Sequence, residues 1–164
     1  MSVFSFIGNV CTTGPGINDG VRNAAEPCTY YSYIRFEDSN GGNKYLERIF
    51  IPSYLDSLIS VGTNAKYHIV EYNVPTPFGS KPFRIVYAIE INEKCFSAIE
   101  EAKKIFSTSK LGALKLFLFG LITLPLWGIG LIFIIQGVRL SFLSLPDTEM
   151  VKGLEGENYY ASAT

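Results

Sequence analysis

A shortage of metal-binding side chains is the first feature of this 164-residue chain, which contains one histidine and three cysteines. The cysteines, Cys11, Cys28 and Cys95, form no CxxC pair. A zinc site of the usual kind would therefore need all three of them together with His68. We predict no metal site and no cofactor. A Cys11–Cys28 disulfide and a set of reduced thiols both stay open.

The chain also lacks an excess of positive or negative charge. It has 14 Lys and Arg residues and 15 Asp and Glu residues, which gives a net charge of −1. Proteins that neutralise many phosphates usually carry a basic excess. Nucleic acid is therefore not an expected partner. The chain has no GxSxG sequence, and no GK[ST] follows its early glycines, so we predict no catalytic residues and a non-enzymatic protein.

What the sequence does contain is an apolar run of 23 residues without Asp, Glu, Lys or Arg, from Leu116 to Val138. As one helix it would extend ~34 Å, enough to cross a hydrocarbon core of ~30 Å. We interpret residues 111–140 as a single transmembrane helix kinked at Pro125, with Trp127 near its middle. The alternative is a re-entrant hairpin that turns around residues 124–128.

The charges beside this run predict the orientation of the chain. Four lysines precede the run and two basic residues follow it (Lys103, Lys104, Lys110, Lys115; Arg139, Lys152). Positive charge marks the cytoplasmic side, and the amino terminus does not resemble a signal peptide. We therefore expect a single-pass membrane protein with a cytoplasmic N-terminal domain. Its expected partners are the lipid bilayer and a protein at the membrane.

Residues 1–92 are predicted to be rich in β-strand, because apolar and polar residues alternate there between turn residues. The predicted strands are 3–11, 29–37, 45–51, 65–73 and 83–91, with a short helix at 52–61. The Asn40-Gly41-Gly42 sequence favours a hairpin between the second and third strands. This order resembles that of a five-stranded OB barrel. A small SH3-like barrel and a plain α+β sheet are the alternatives.

The complete fold prediction is a small β-barrel or α+β domain with OB-like order, then an amphipathic helix, then one transmembrane helix. The boundaries are residues 1–92 for the β-rich domain, 93–110 for the connecting helix and 111–140 for the span. Residues 141–164 are expected to form a short, mostly disordered tail. The fifth strand is expected to place Phe83, Ile85, Tyr87, Ile89 and Ile91 toward the core.

The second predicted strand carries the candidate binding face. Tyr31, Tyr33 and Arg35 alternate along it, and Arg48 on the third strand is within reach. Aromatic and basic side chains on these two strands are where an OB barrel binds oligonucleotides or sugars. The alternative is an ordinary tyrosine-rich strand exterior. His68 is interpreted as a surface or rim histidine.

The linker between the fourth and fifth predicted strands is a second candidate contact. Pro75 and Pro77 stiffen it and Phe78 lies near its tip, which is typical of a docking loop. Together these features predict a membrane-anchored, non-enzymatic interaction module of the accessory, assembly or immunity type. The alternative function is an auxiliary subunit of a larger membrane enzyme or transporter. The oligomeric state stays open.

Overall fold

The computed structural model describes residues 1–19, 28–38, 41–76, 79–123, 129–154 and 159–161. The strands are β1 (Ser2–Thr13), β2 (Gly16–Asp19), β3 (Cys28–Glu37), β4 (Asn43–Pro52), β5 (Asn64–Thr76), β6 (Gly79–Ile91), β7 (Lys94–Ser97) and β8 (Tyr159–Ala161). The helices are α1 (Ser53–Asp56), α2 (Ile99–Thr123), α3 (Ile129–Ser141) and α4 (Asp147–Lys152).

Five strands of this mostly antiparallel sheet close into a ring. β3 pairs with β1 and β4, β1 also pairs with β5, and β5 pairs with β6. A parallel contact between β4 and β6 completes the ring. The remaining strands extend the sheet, because β2 pairs with β3 and β7 lies between β6 and β8. The pairings thus form a small five-stranded barrel, and their order resembles that of an OB barrel.

The inside of the ring is filled by one apolar cluster. Its large members are Ile34, Phe36, Leu46, Ile49, Ile51, Leu55, Tyr67, Ile69, Val86 and Ile89. The aromatic rings of Phe6, Phe36 and Tyr67 meet with centroids 4.9–5.6 Å apart. Because successive strand side chains point to opposite faces, the alternation of the sequence delivers these residues to the interior.

A second apolar cluster lies on the outside of β5 and β6. There Ile85, Tyr87 and Tyr72 are covered by Phe106 of α2 and Met150 of α4. The rings of Tyr72 and Phe106 meet edge to face at 5.1 Å. Strand β6 is therefore buried on both faces. This corrects the expected division of residues 83–91 into a core set and an outer set, because Val86 and Ala88 are fully buried as well.

The apolar run near the carboxyl end is divided between two helices. Leu116 lies in α2 and Val138 in α3, whereas Pro125 and Trp127 lie outside the described residues. The two helices pack against each other, with the rings of Phe119 and Phe133 meeting edge to face at 5.2 Å. Among the described residues, no helix combines the length and the apolar character that crossing a membrane requires.

The prediction of a transmembrane helix is therefore wrong. The predictions that depended on this helix are wrong as well. They are the lipid bilayer as a partner, the single-pass localisation, the membrane-anchored module and the auxiliary membrane subunit. Two physical features explain the error. A proline disfavours helical backbone at the preceding residue, so Pro125 marks an interruption of the run. The 13 residues of α3 extend only ~20 Å, well short of a bilayer core.

Smaller differences concern the other elements. The amphipathic helix expected at 93–110 begins only at Ile99, after strand β7, and continues to Thr123. The helix expected at 52–61 is the short α1. The tail expected to be mostly disordered contributes α4 and β8. Among the described residues no disulfide links Cys11 to Cys28.

We predict that Gly120→Ala loosens the packing of α2 on α3. An added Cβ would lie 2.7 Å from the Gly130 carbonyl oxygen and from Ile134 Cγ1, so the backbone would have to move. The expected net loss is about 1–2 kcal/mol of unfolding free energy, because overpacking outweighs the gain in helix propensity. Urea denaturation measures it. The control is Gly42→Ala, whose Cβ meets nothing closer than 3.9 Å. Equal stability of the two variants would contradict the close approach.

Candidate nucleic-acid interface

The outer face of β3 and β4 brings two tyrosines and an arginine together. Arg35 is the direct cross-strand partner of Tyr45, and Tyr33 is paired with Glu47. Tyr33 is 39 % exposed and Tyr45 is 60 % exposed. The alternate residues of the same strands point into the ring and are buried. This face therefore presents Tyr33, Arg35 and Tyr45 side by side to solvent.

Arg35 is held in place by its neighbours on both sides. Hydrogen bonding of its guanidinium with Tyr45 of β4, and then with Cys11 of β1, raises the pKa of Arg35 above its ordinary value. Its Nε is buried and has no hydrogen-bond partner among the described residues. Cys11 Sγ in turn donates to Glu37 Oε2 at 3.5 Å. The guanidinium is thus oriented within the face, with one donor unused.

Tyr33 is positioned by a glycine. The Gly14 backbone N–H donates to the Tyr33 carbonyl oxygen at 2.8 Å. A Cβ at Gly14 would lie 2.7 Å from Cδ1 of the Tyr33 ring, so only glycine allows this close approach. One side of the ring therefore rests on the chain that follows β1. Such support orients an aromatic side chain before any ligand arrives.

Tyr31 and Arg48 are not part of this face, although the sequence grouped them with Tyr33 and Arg35. Leu46 and Ile49 both point inward although they are three residues apart, so β4 changes phase between them. Arg48 lies at this change with a φ of 54°, in the left-handed region. Tyr31 is paired with Ile49 and packs against the core cluster. The strand twist thus separates Tyr31 from Tyr33.

Tyr31 instead forms a hydrogen-bonded clamp with α1. Its hydroxyl donates to Asp56 Oδ1 at 2.8 Å, and Thr29 Oγ1 donates to Asp56 Oδ2 at 2.7 Å. Both oxygens of one carboxylate are therefore engaged by two residues of the same strand. The clamp fixes the short helix to β3.

The neighbouring basic residues are engaged by other groups. Lys44 Nζ lies 4.1 Å from the centroid of the Phe6 ring, and burial lowers its pKa. Arg84 forms an ion pair with Glu71 at 2.6 Å and donates to the Glu47 carbonyl oxygen at 2.8 Å. Arg35 is therefore the cation that the outer face itself presents.

The predicted docking loop is only partly described. Pro75 lies in the β5–β6 hairpin, paired with Ser80, whereas Pro77 and Phe78 lie outside the described residues. His68 is 1 % exposed, so its interpretation as a surface or rim residue is wrong. The reason is that α4 lies close to this part of β5, with Glu149 and Lys152 lining the same cavity as His68, which the sequence does not show.

The outer face of β3 and β4 that carries Tyr33, Arg35 and Tyr45 is called the tyrosine face below. Two cavities lie away from it. One, of about 300 Å³, is lined by Ser5, His68, Tyr87, Glu149 and Lys152. The Tyr87 hydroxyl beside it is buried and has no hydrogen-bond partner among the described residues. The other, of about 760 Å³, lies between the β5–β6 hairpin and α3 and contains Gln136 and Arg139. Neither cavity could be found from sequence, because each depends on how the C-terminal helices dock.

Within the described ranges, no group of three or more His, Cys, Asp and Glu residues is placed to hold a metal ion. No family model matches the chain, and no curated protein matches it either. A small single-stranded DNA-binding protein from Streptomyces coelicolor has a similar crystal structure. It is 14 % identical, with 56 % of this chain and 94 % of that chain covered, at a TM-score of 0.32.

A likeness at this level is too low to transfer a function. The sequence-based expectation that nucleic acid is not a partner is corrected on the geometry of the outer face. That expectation rested on net charge, whereas bases also stack on exposed rings such as those of Tyr33 and Tyr45.

We predict that Asp56→Ala destabilises the protein by about 2–4 kcal/mol, because two hydrogen bonds to one carboxylate are lost. Asp56→Asn, which keeps a single acceptor oxygen, should lose about half as much. The matched control is Asp147→Ala, which removes a 3.5 Å contact to Lys103 and should cost less than about 1 kcal/mol. Urea denaturation compares the three. A loss at Asp56 no larger than at Asp147 would refute the clamp.

Stability should fall at high pH. Burial raises the pKa of Tyr87 to about 12, and burial together with the Asp56 hydrogen bond raises the pKa of Tyr31 to about 12. Above pH ~10 these tyrosines lose their protons in the unfolded chain, whereas the folded chain keeps them protonated. Ionisation therefore stabilises the unfolded state, and the free energy of unfolding falls as pH rises. Urea denaturation at pH 9 to 11.5 tests this, and Tyr87→Phe should flatten the slope. A flat pH dependence in the parent protein would contradict the burial.

Proposed function

We propose that this chain is a non-enzymatic binding protein that takes single-stranded nucleic acid on the outer face of β3 and β4. The observation that carries the proposal is the exposed trio of Tyr33, Arg35 and Tyr45 on the second and third strands of the barrel. On an OB barrel these strands form the surface that binds oligonucleotides and oligosaccharides.

The geometry of the trio suits two stacked bases. Tyr33 and Tyr45 are diagonal neighbours on paired strands, which places their Cβ atoms ~7–8 Å apart or somewhat less. Each base of a single strand has a flat surface that stacks on an exposed aromatic ring, and such stacking tolerates any sequence. Arg35, directly opposite Tyr45, supplies the charge between the two rings.

The charge of the protein sets the character of this binding. The net charge is −1, and the nearby cations Lys44 and Arg84 are engaged by Phe6 and Glu71. Binding should therefore depend on stacking more than on counterion release. With one or two phosphate contacts, the slope of log K against log salt concentration should lie at about −0.7 to −1.4.

The same surroundings support a binding role over a catalytic one. The chain has a single histidine, and it is buried beside Tyr87, away from the tyrosine face. The acidic side chains nearest the trio are Glu37 and Glu47, and Glu47 is the cross-strand partner of Tyr33. Aromatic rings and a fixed cation are groups that bind a ligand by stacking and by charge.

Fluorescence anisotropy with a labelled 15-nucleotide oligo(dT), and with the corresponding RNA, tests the proposal on the full chain. We expect weak binding, and we expect Tyr33→Ala or Tyr45→Ala to reduce affinity roughly 5- to 150-fold, the range for one stacked base. Arg35→Gln should reduce affinity and flatten the salt dependence. Val151→Ala is the control, since Val151 is 52 % exposed on α4, which packs on β5 and β6, away from this face.

Three results would refute the function. The first is no binding of either oligonucleotide at 100 µM protein. The second is an equal loss of affinity in the Val151→Ala control and in the tyrosine variants. The third is tighter binding of an uncharged oligosaccharide than of oligonucleotide, which would assign the tyrosine face to sugars.

A further inference from the structure

The hairpin formed by α2 and α3 leaves two apolar stripes exposed. On α2 the stripe consists of Leu114, Leu118 and Leu121, which are 47–54 % exposed. Their spacing of four and then three residues is the spacing of a coiled-coil seam. No described element of the chain covers them. A seam of this kind is stable in water only when another helix packs on it.

The stripe on α3 repeats the pattern and ends just after the helix. Leu131, Ile135 and Val138 of α3 and Phe142 directly after it are separated by four, three and four residues and are 41–84 % exposed. Because α2 and α3 pack antiparallel through Gly120 and Phe133, both stripes belong to the same hairpin. The hairpin therefore resembles one half of an antiparallel four-helix bundle.

The exposed area is large enough for a stable interface. At roughly 200 Å² for a large side chain, the seven exposed fractions sum to on the order of 750 Å². The largest apolar patch of a typical monomer is about 300–600 Å², whereas a standard interface buries about 800 Å² on each partner. The stripes thus match the requirement of one protein partner.

We propose that the partner is a second copy of this chain, and that the two hairpins form an antiparallel four-helix bundle. Residues 102–146 contain no Asp or Glu, so the charged residues of the hairpin beyond the first turn of α2 are all basic, with Lys115 and Arg139 toward its barrel end. An antiparallel arrangement places these cations opposite the uncharged tip of the partner hairpin. It also sends the two barrels to opposite ends, where they do not collide. Two identical apolar stripes complement each other about a two-fold axis.

Sedimentation of the full chain in detergent-free buffer, from 1 to 100 µM, tests this proposal. The parent protein should sediment as a dimer. Leu118→Glu combined with Ile135→Glu should weaken the dimer by roughly 100-fold or more, because charge enters the centre of both stripes. Both residues are exposed within one copy, so circular dichroism of the monomeric variant should match that of the parent.

Val61→Glu is the control. Val61 is 68 % exposed and lies between α1 and β5, outside the hairpin of α2 and α3. This variant should remain a dimer. The proposal is overturned if the parent is monomeric at 100 µM or forms any other oligomer. It is also overturned if Val61→Glu dissociates the dimer as strongly as the double variant, or if the chain is recovered only with detergent covering the stripes.

Discussion

The burial of β6 on both faces organises the molecule. Its inward residues, Val86 and Ile89, complete the interior of the ring. Its outward residues, Ile85, Tyr87 and Ala88, form the floor of a second cluster beneath α2 and α4. A strand with two apolar faces requires a layer on each side, because exposing either face would cost the transfer free energy of several large side chains. The C-terminal helices are therefore part of the folded barrel domain.

This two-sided burial decides which barrel surface remains free. The aromatic contacts run outward from Phe50 through Phe83 and Tyr72 to Phe106, so the helical layer covers β5 and β6. The outer side of β3 and the first half of β4 receives no such cover among the described elements. Tyr33 and Tyr45 stay exposed there while Ile34 and Leu46 fill the interior. The tyrosine face is thus the part of the barrel surface that the docked helices leave exposed.

Local sequence signals could predict the elements of the barrel but not their surroundings. The glycines at 41 and 42 indicated the hairpin, which the structure shows as β3 paired with β4 from Glu37↔Asn43 to Cys28↔Pro52. The sequence could not predict the phase change at Arg48, because both strands twist together there. The alternation of apolar and polar residues with a period of two does not indicate such a change. For the same reason Tyr31 and Tyr33 looked equivalent. The surroundings of His68 and Tyr87 depend on α4, which begins at Asp147, far along the chain from both residues.

The apolar run of residues 116–138 shows why composition alone misleads. A helix that crosses a bilayer and two helices that pack together both need apolar residues, and the run satisfies either demand. Pro125 and the glycine at 120 are the features that distinguish the two. Gly120 has no room for a side chain against the Gly130 carbonyl oxygen. Two packed helices require such a close approach of their backbones, whereas a single helix does not.

The proposed bundle and the proposed binding face reinforce each other physically. The tyrosine face presents one cation and two rings, so a single face can hold only a few nucleotides weakly. Two barrels at opposite ends of a bundle would offer two such faces to one flexible strand. Once the first face is occupied, the second meets the strand at an effective concentration that its length sets, up to millimolar for a short span. Weak stacking at each face would then become avid binding without any additional contact.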